Sequence, residues 1–382
     1  MIIIKVLQII SANDIGGGAA HVLNLCYHSK HLFSNVLGCI GEGTLPDKAK
    51  KMDIETVRFS SKCFINGEIQ RYVEENSIDV INFHGAKAFF THYFINKKIK
   101  VPTVATVHSD YKKDFLNSKI KYYLFTPLSI KGIRSFKNHI CVSKYIQDIL
   151  VQDKINSKKF IVNNGIDLDK YKNIKIDNIE TNNRLSNYEI NRNESRKKLN
   201  INEEDFVYIN IARMHPVKNH IGLVEAFEKI SKDNENAKLL LLGDGVEEEK
   251  IRKIVKELDL KEKVIFLGFQ ENVDKYINIA HVSILTSFSE GGAPPLVILE
   301  SGINKVPVIA SNVCDIPDCI NENNGFLVNP NSNEDIYLKM KKAYENRERL
   351  QVLGKNLYKD ICNKYSMENF CRSYYECYKS LI

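Results

Sequence analysis

The sequence predicts an α/β protein of two domains, each built on a doubly wound sheet of parallel strands. Three observations predict it. Short apolar runs alternate with helix-like stretches from end to end, the rhythm is interrupted once near the middle, and 382 residues fit two ordinary domains better than one. The 43% apolar content supplies real cores, and 26% charge is ordinary for a soluble protein.

Strands of the first domain are expected at 2–10, 36–40, 80–84, 103–107, 139–142 and 160–162. Those of the second are expected at 207–211, 238–242, 264–267, 282–286, 307–310 and 326–328, with helices such as 220–231 and 247–258 between them. The run from Met1 to Ile10 reads as a first buried strand, because it is too short for a signal segment or a membrane span and Lys5 interrupts it. Nine cysteines lack CxxC pairs or metal spacing, and Cys39 and Cys141 sit inside apolar runs, so they read as small buried hydrophobes in a reducing compartment. A cytoplasmic protein is expected.

From Lys172 to Asn202 the chain is rich in Asn, Lys, Glu and Ile and has little periodicity, which reads as a linker with a surface excursion. The expected organisation is therefore a first domain over 1–170, a linker over 171–202, a second domain over 203–355, and C-terminal helices over 356–382 that pack back toward the first domain. The aromatics of those helices (Tyr358, Tyr365, Phe370, Tyr374, Tyr375, Tyr378) read as helix packing. Charge is uneven: residues 1–170 hold 24 Lys/Arg against 15 Asp/Glu, so the whole net +7 arises there.

The chemistry concentrates at expected strand ends. Arg213 follows the strand 207–211 and Lys218 lies in the loop beyond it, where two cations can clamp a diphosphate and neutralise it as it leaves. After the run Val282–Leu285 come Ser289-Glu290-Gly291-Gly292-Ala293-Pro294-Pro295, then an apolar segment carrying Glu300. That order describes a strand, a Gly-rich turn and a helix with proline in its first turn. The free N–H groups there suit an anion, and the two acids suit hydroxyls. Phosphate and polyol together suggest a sugar nucleotide. Gly243-Asp244-Gly245 and Gly268-Phe269-Gln270 read as turns at strand ends.

In the first domain Gly16-Gly17-Gly18 lies between the first strand and a helix expected near Ala19, where another molecule can approach the backbone. The pattern is not GxGxxG, which disfavours a nicotinamide or flavin site. His84 and His108 each end a strand at the same sheet edge, and imidazole suits hydroxyl groups. Ser143 precedes a helix and reads as its N-cap.

Together these residues resemble a glycosyltransferase of the GT-B fold, in the large retaining family 4, over nearly the full length. The match runs through Gly16 to Gly18, His108 in Thr106-Val107-His108-Ser109, Asn164 to Asp167, the Arg213/Lys218 pair with its spacing of five, Gly268-Phe269, and Glu300. The family places its two glutamates eight positions apart, whereas Glu290 and Glu300 are ten apart and Gly292 holds the family position. The turn is read as carrying a two-residue insertion with Glu290 as the sugar-contacting acid.

The resemblance implies two Rossmann-like domains whose parallel sheets face across a cleft. It implies hexosyl transfer with retention from a nucleotide-diphosphate donor, UDP first, to a glycan or lipid-linked hydroxyl, in cell-surface polysaccharide synthesis. Arg213 and Lys218 would hold the leaving diphosphate, assisted by N–H groups near Gly291 and Gly292. Glu300 would hold ribose hydroxyls, Gly268 and Phe269 the base, and Glu290 and His108 the donor sugar. His84 and residues 16–18 would border the acceptor. No cluster of residues with metal-ligand spacing is visible, so metal independence and no cofactor are expected.

Residues 111–137 carry seven basic residues against Asp114, interleaved with aromatics, which suits peripheral contact with an anionic membrane. A helix pair with a solvated basic face explains the same residues. A sugar-nucleotide epimerase of the same fold and a catalytically silent partner subunit remain as alternatives. Nucleic-acid binding is disfavoured, because the basic excess is modest and no reading motif appears.

Overall fold

The computed structural model describes residues 4–14, 16–112, 119–168, 192–290 and 294–382; of residues 119–125 it describes the helical backbone. Two compact units emerge. Unit 1 holds Met1–Gly165 with Met367–Ile382, and unit 2 holds Ile166–Glu290 with Pro294–Ser366.

Unit 1 is built on seven parallel strands: β1 (Lys5–Ser11), β2 (Ser34–Ile40), β3 (Thr56–Phe59), β4 (Val80–His84), β5 (Thr103–Val107), β6 (Asn138–Cys141) and β7 (Lys158–Ile161). Their order is β3-β2-β1-β4-β5-β6-β7, so the chain winds outward from β1 and then returns to its other side as β4. The topological switch point lies between β1 and β4. Five strands track the apolar runs closely, and the edge strand β7 overlaps its run by its last two residues only. The seventh, β3, is the sequence Thr-Val-Arg-Phe at the sheet edge, with Arg58 exposed, and offers no apolar run long enough to be read. In the centre β4 is buried along its whole length, and Ile9, Ile81, Phe83, Ala105 and Cys141 belong to one core cluster.

The helix Met367–Lys379 completes this unit. Met367, Phe370, Cys371, Tyr374, Cys377 and Tyr378 form its buried stripe, packed with Ile4, Val6, Leu25 and Phe33. The aromatics are packing residues, as their spacing predicts, yet two of them also carry buried hydroxyls into a polar network described below. Residues 356–366 of the expected terminal segment belong instead to unit 2, where Leu357, Ile361 and Tyr365 pack with Leu299 and Ile303.

Unit 2 holds six parallel strands in the order β10-β9-β8-β11-β12-β13: β8 (Phe206–Ile211), β9 (Ala237–Leu242), β10 (Val264–Gly268), β11 (Val282–Leu285), β12 (Val308–Ser311) and β13 (Gly325–Val328). Its switch point lies between β8 and β11. Part of the expected linker is structured: residues 192–198 are helical, and buried Arg196 donates to the carbonyl oxygens of Ile279 at 3.0 Å and Asp205 at 2.9 Å. Five donors on one planar group let a single arginine satisfy several carbonyls, which composition alone does not announce. Residues 171–191 of the linker, with 169 and 170 before it, lie outside the described residues. All nine cysteines are free, and Cys39 and Cys141 are buried within β2 and β6. Among the described residues no helix is long and apolar enough to cross a membrane.

Candidate active site

Every candidate residue of unit 2 that the structure describes, apart from Glu300, lies just past the carboxyl end of a strand or at it. The richest group straddles the switch point, where parallel sheets bind ligands. From β8 the chain passes Arg213 and makes a short 3-10 turn, Pro216–Lys218. The 3-10 turn ends at Asn219, held at φ 54° with its side chain accepting from the Gly222 N–H and donating to the Pro330 carbonyl at 2.8 Å. From β11 on the other side the chain passes buried Thr286 and Ser287 and reaches Glu290. The two sides meet in an ion pair: Lys218 Nζ lies 2.6 Å from Glu290 Oε1, with side chains only 22% and 11% exposed. Phe288 N–H donates to the Val217 carbonyl at 2.8 Å and fixes the register of the two loops.

The Arg213 carbonyl accepts from the His215 N–H at 2.7 Å, but its guanidinium makes no ion pair or hydrogen bond among the described residues and is available to an anion. The field around it is positive. Burial first, and then Arg213, hold the His215 imidazole below its ordinary range. Burial and then Lys218 push His220 down to about 4.

Gly243-Asp244-Gly245 is more than a turn. The Met214 N–H donates to the Asp244 carbonyl at 2.7 Å and the Met214 carbonyl accepts from Glu247, so this loop braces the one bearing Arg213. Gly243 sits at φ +132°, and a methyl there would lie 2.1 Å from the Ala212 carbonyl oxygen. Gly243→Ala is therefore expected to cost at least about 3 kcal/mol in urea unfolding. Gly268→Ala should cost only about 1 kcal/mol, because Gly268 shares a positive φ but has open space around it.

Gly268 ends β10, and Phe269 beyond it is 69% exposed, a free aromatic face at a strand end. Glu300 is the fifth residue of the helix Leu296–Ile303. Pro295 is the N-cap of that helix rather than a member of its first turn. The N–H of a cap residue also stands outside the helical ladder, so proline is equally free to sit there. Gly291 and Gly292 lie outside the described residues.

In unit 1 the helix Gly17–His28 starts two residues earlier than the sequence suggests, with Gly16 as its N-cap. Gly17 has no heavy atom within 4 Å of where a Cβ would stand, while Gly18 would place one 3.6 Å from His108 Cδ2. The Gly-rich turn and His108 are thus neighbours. His84 Nδ1 and His108 Nε2 lie 3.0 Å apart, with their rings stacked. His84 Nε2 lies 2.9 Å from Gln8 Oε1. Burial holds both histidines well below their ordinary value, followed by the neighbouring histidines. Ser143 caps its helix by accepting from the Ile146 N–H at 3.2 Å.

Two spans of the chain match families of known proteins. Residues 191–360 match the glycosyl transferases group 1, and residues 56–170 match Glycosyltransferase Family 4. The chain belongs to the group 1 glycosyltransferases, family 4. It is 26% identical to the alpha-monoglucosyldiacylglycerol synthase of Streptococcus pneumoniae over 224 residues, 57% of this chain and 48% of that one. It therefore spans about half the length of that relative. The Acholeplasma laidlawii synthase of the same name matches more fully, at 26% over 332 residues, 82% of this chain and 79% of that one. Among solved structures, Anabaena Alr3699/HepE in complex with UDP aligns with a TM-score of 0.82 at 16% identity, over 99% of this chain and 100% of that one. The fold is GT-B, with one parallel sheet in each unit.

Unit 1 also holds a buried polar network that residue-by-residue reading of the sequence does not reveal. His21 bridges Asn164 Oδ1 at 3.0 Å and Tyr374 OH at 2.7 Å, and burial pushes its imidazole down to about 4. Thr106 donates to Asn82 Oδ1 at 2.9 Å, and Asn82 donates to Tyr378 OH at 2.8 Å. The one signal available was polar residues, Gln8 and Asn82, inside strands that are otherwise apolar. Buried polar groups in central strands require partners.

Proposed function

We propose that this chain transfers a hexosyl group, with retention of anomeric configuration, from a nucleoside-diphosphate sugar to a hydroxyl of a glycan or lipid-linked acceptor. The observation that carries the reading is the cationic group at the switch point of unit 2: the Arg213 guanidinium unengaged, and Lys218 turned onto Glu290 at 2.6 Å. A diphosphate is the anion that such a pair suits, and its arrival gives Lys218 a second partner.

In the reaction the bond from the anomeric carbon to the diphosphate oxygen breaks, and a bond to the acceptor oxygen forms on the same face. The acceptor proton leaves with the diphosphate. The transition state places positive charge on the sugar and negative charge on the leaving oxygens, so the protein's task is positioning and charge stabilisation. Arg213 and Lys218 take the leaving group, Glu300 the ribose hydroxyls, and exposed Phe269 beside Gly268 the base. Glu290 and His108 take the donor sugar, while His84 and residues 16–18 serve the acceptor. UDP is the favoured nucleotide, since Anabaena Alr3699/HepE has been crystallised with UDP. A lipid acceptor fits the relatives that are alpha-monoglucosyldiacylglycerol synthases, and the basic, aromatic stretch 111–137 would serve contact with an anionic surface on the cytoplasmic face. Residues 113–118 of that stretch lie outside the described residues.

The test is a panel of UDP-sugars screened for thermal stabilisation, with hits followed by NMR of the product in EDTA. The expected result is donor-dependent stabilisation, an α-linked product from an α-linked donor, and a rate that EDTA leaves unchanged. A β-linked product would refute retention. Conversion of the donor sugar without any acceptor would favour epimerisation, and absence of binding across the panel would favour a silent subunit.

A further inference from the structure

A chain of hydrogen bonds with only one possible direction ends on His108. It starts where the helix Gly17–His28 closes: the Ser29 hydroxyl lies 2.6 Å from the Leu25 carbonyl oxygen, which has no proton, so Ser29 must donate. Ser29 Oγ then accepts from Asn35 Nδ2 at 2.7 Å. With its amide so oriented, Asn35 presents Oδ1 to Gln8, which donates through Nε2 at 2.8 Å. Gln8 is thereby oriented too. Its Nε2 also donates to Tyr378 OH at 3.0 Å, and its Oε1 faces His84 Nε2 at 2.9 Å.

An amide oxygen only accepts, so His84 must carry its proton on Nε2. A neutral imidazole has a single ring proton, which leaves His84 Nδ1 as an acceptor. Its partner 3.0 Å away is His108 Nε2, which must therefore donate. His108 in turn keeps Nδ1 bare. That nitrogen has no hydrogen-bond partner among the described residues, and the residue as a whole is half-buried. Burial keeps both rings well below their ordinary value, which secures the single-proton state of each.

We infer that Ser29, Asn35, Gln8 and His84 are positioning residues that set the tautomer of His108, making its Nδ1 an obligate hydrogen-bond acceptor. The group it meets must then supply a proton. A sugar hydroxyl fits, whereas a carboxylate at the same place would face a lone pair. The ligand part of this inference rests on the donor-sugar role proposed for His108; the tautomer does not. The geometry crosses the switch point of unit 1, since Gln8 lies on β1 and pairs in register with Asn82 of β4, the strand that His84 ends. The relay therefore joins the two strands whose divergence opens the site.

The test is long-range proton–nitrogen NMR of the full chain labelled with 15N-histidine at neutral pH, with signals assigned through His84→Gln and His108→Asn. Both rings are expected as the Nε2–H tautomer, with a pyridine-like Nδ1 on His108. A His108 protonated on Nδ1, or on both nitrogens, would overturn the relay. Gln8→Met removes the oxygen that orients His84, and is expected to mix the tautomers of both rings and to raise the KM for the donor about tenfold with a smaller change in kcat. An unchanged His108 spectrum in folded Gln8→Met protein also counts against the relay. If Gln8→Met does not fold, the wild-type spectrum decides alone. Comparing UDP-glucose with UDP-glucuronic acid keeps the two readings apart. The expected tautomer with neither donor bound leaves the relay standing and removes the donor-sugar role, while binding with the opposite tautomer does the reverse.

Discussion

Arg213→Ala is expected to lower turnover by about 10³-fold while the fold persists, with Lys218→Ala falling at least as far. The Arg213 guanidinium has no structural partner among the described residues, so its loss leaves nothing uncompensated, and thermal unfolding should shift little. Its contribution is reserved for the anion. The leaving diphosphate gains negative charge as its bond to the sugar stretches, so cations beside it act more strongly in the transition state than in the bound donor. The deficit should appear mainly in kcat, with KM moving less. Lys218 differs because Glu290 depends on it. Removing the ammonium, now 2.6 Å away, strands a carboxylate whose side chain is only 11% exposed. Lys218→Ala should therefore also lose about 1–3 kcal/mol of stability. The double variant Lys218→Met with Glu290→Gln should recover that stability and none of the turnover. Steady-state kinetics and urea unfolding of the four proteins distinguish these effects. Turnover near wild type in both single variants would remove the diphosphate role.

Why was so much of this arrangement legible beforehand? In a parallel sheet covered on both faces, central strands are continuous apolar runs, and twelve of the thirteen strands overlap a run expected from the sequence, the edge strand β7 by its last two residues only. The exception, β3, lies at an edge where Arg58 faces solvent. The cationic loop was legible for a related reason: a buried strand has to deliver the next loop to the sheet's carboxyl edge. Ion pairing was not legible. Lys218 and Glu290 are 72 positions apart, and only the return of β11 to the flank of β8 brings them together. Arg196 and the tyrosine hydroxyls of the last helix were missed for the opposite reason. Tyr374 and Tyr378 satisfy an ordinary amphipathic stripe, and nothing in a stripe reveals that its polar tips enter a network with His21, Asn82 and Gln8.

The buried histidines, inside that network and outside it, have a thermodynamic consequence, a loss of stability in mild acid carried mainly by unit 1. Burial holds His21 and His139 down to about 4 and His92 to about 3, and holds His84 and His108 well below their ordinary value. In the unfolded chain these imidazoles titrate near 6.5. Above that pH neither state binds the protons and stability is full. Between 6.5 and the folded values the unfolded chain takes up protons that the native chain refuses, so stability falls as pH falls. At about 1.4 kcal/mol per pH unit, the depression of His21 alone corresponds to ~3 kcal/mol by pH 4. Several such groups acting together rival the ~5–15 kcal/mol that holds a typical domain folded. Unit 2 has His220 and His281, each depressed by burial to about 4, and should yield at lower pH. The urea midpoint is thus expected to drop steeply from pH 7 to pH 5, with hydrogen exchange accelerating in β4 and β5 before β8 and β9. His139→Gln keeps a polar side chain in place of one proton site, and should flatten the dependence by up to one proton's share. A midpoint that stays level between pH 7 and pH 5 would mean that these histidines accept protons within the fold, and that the buried network opens to water.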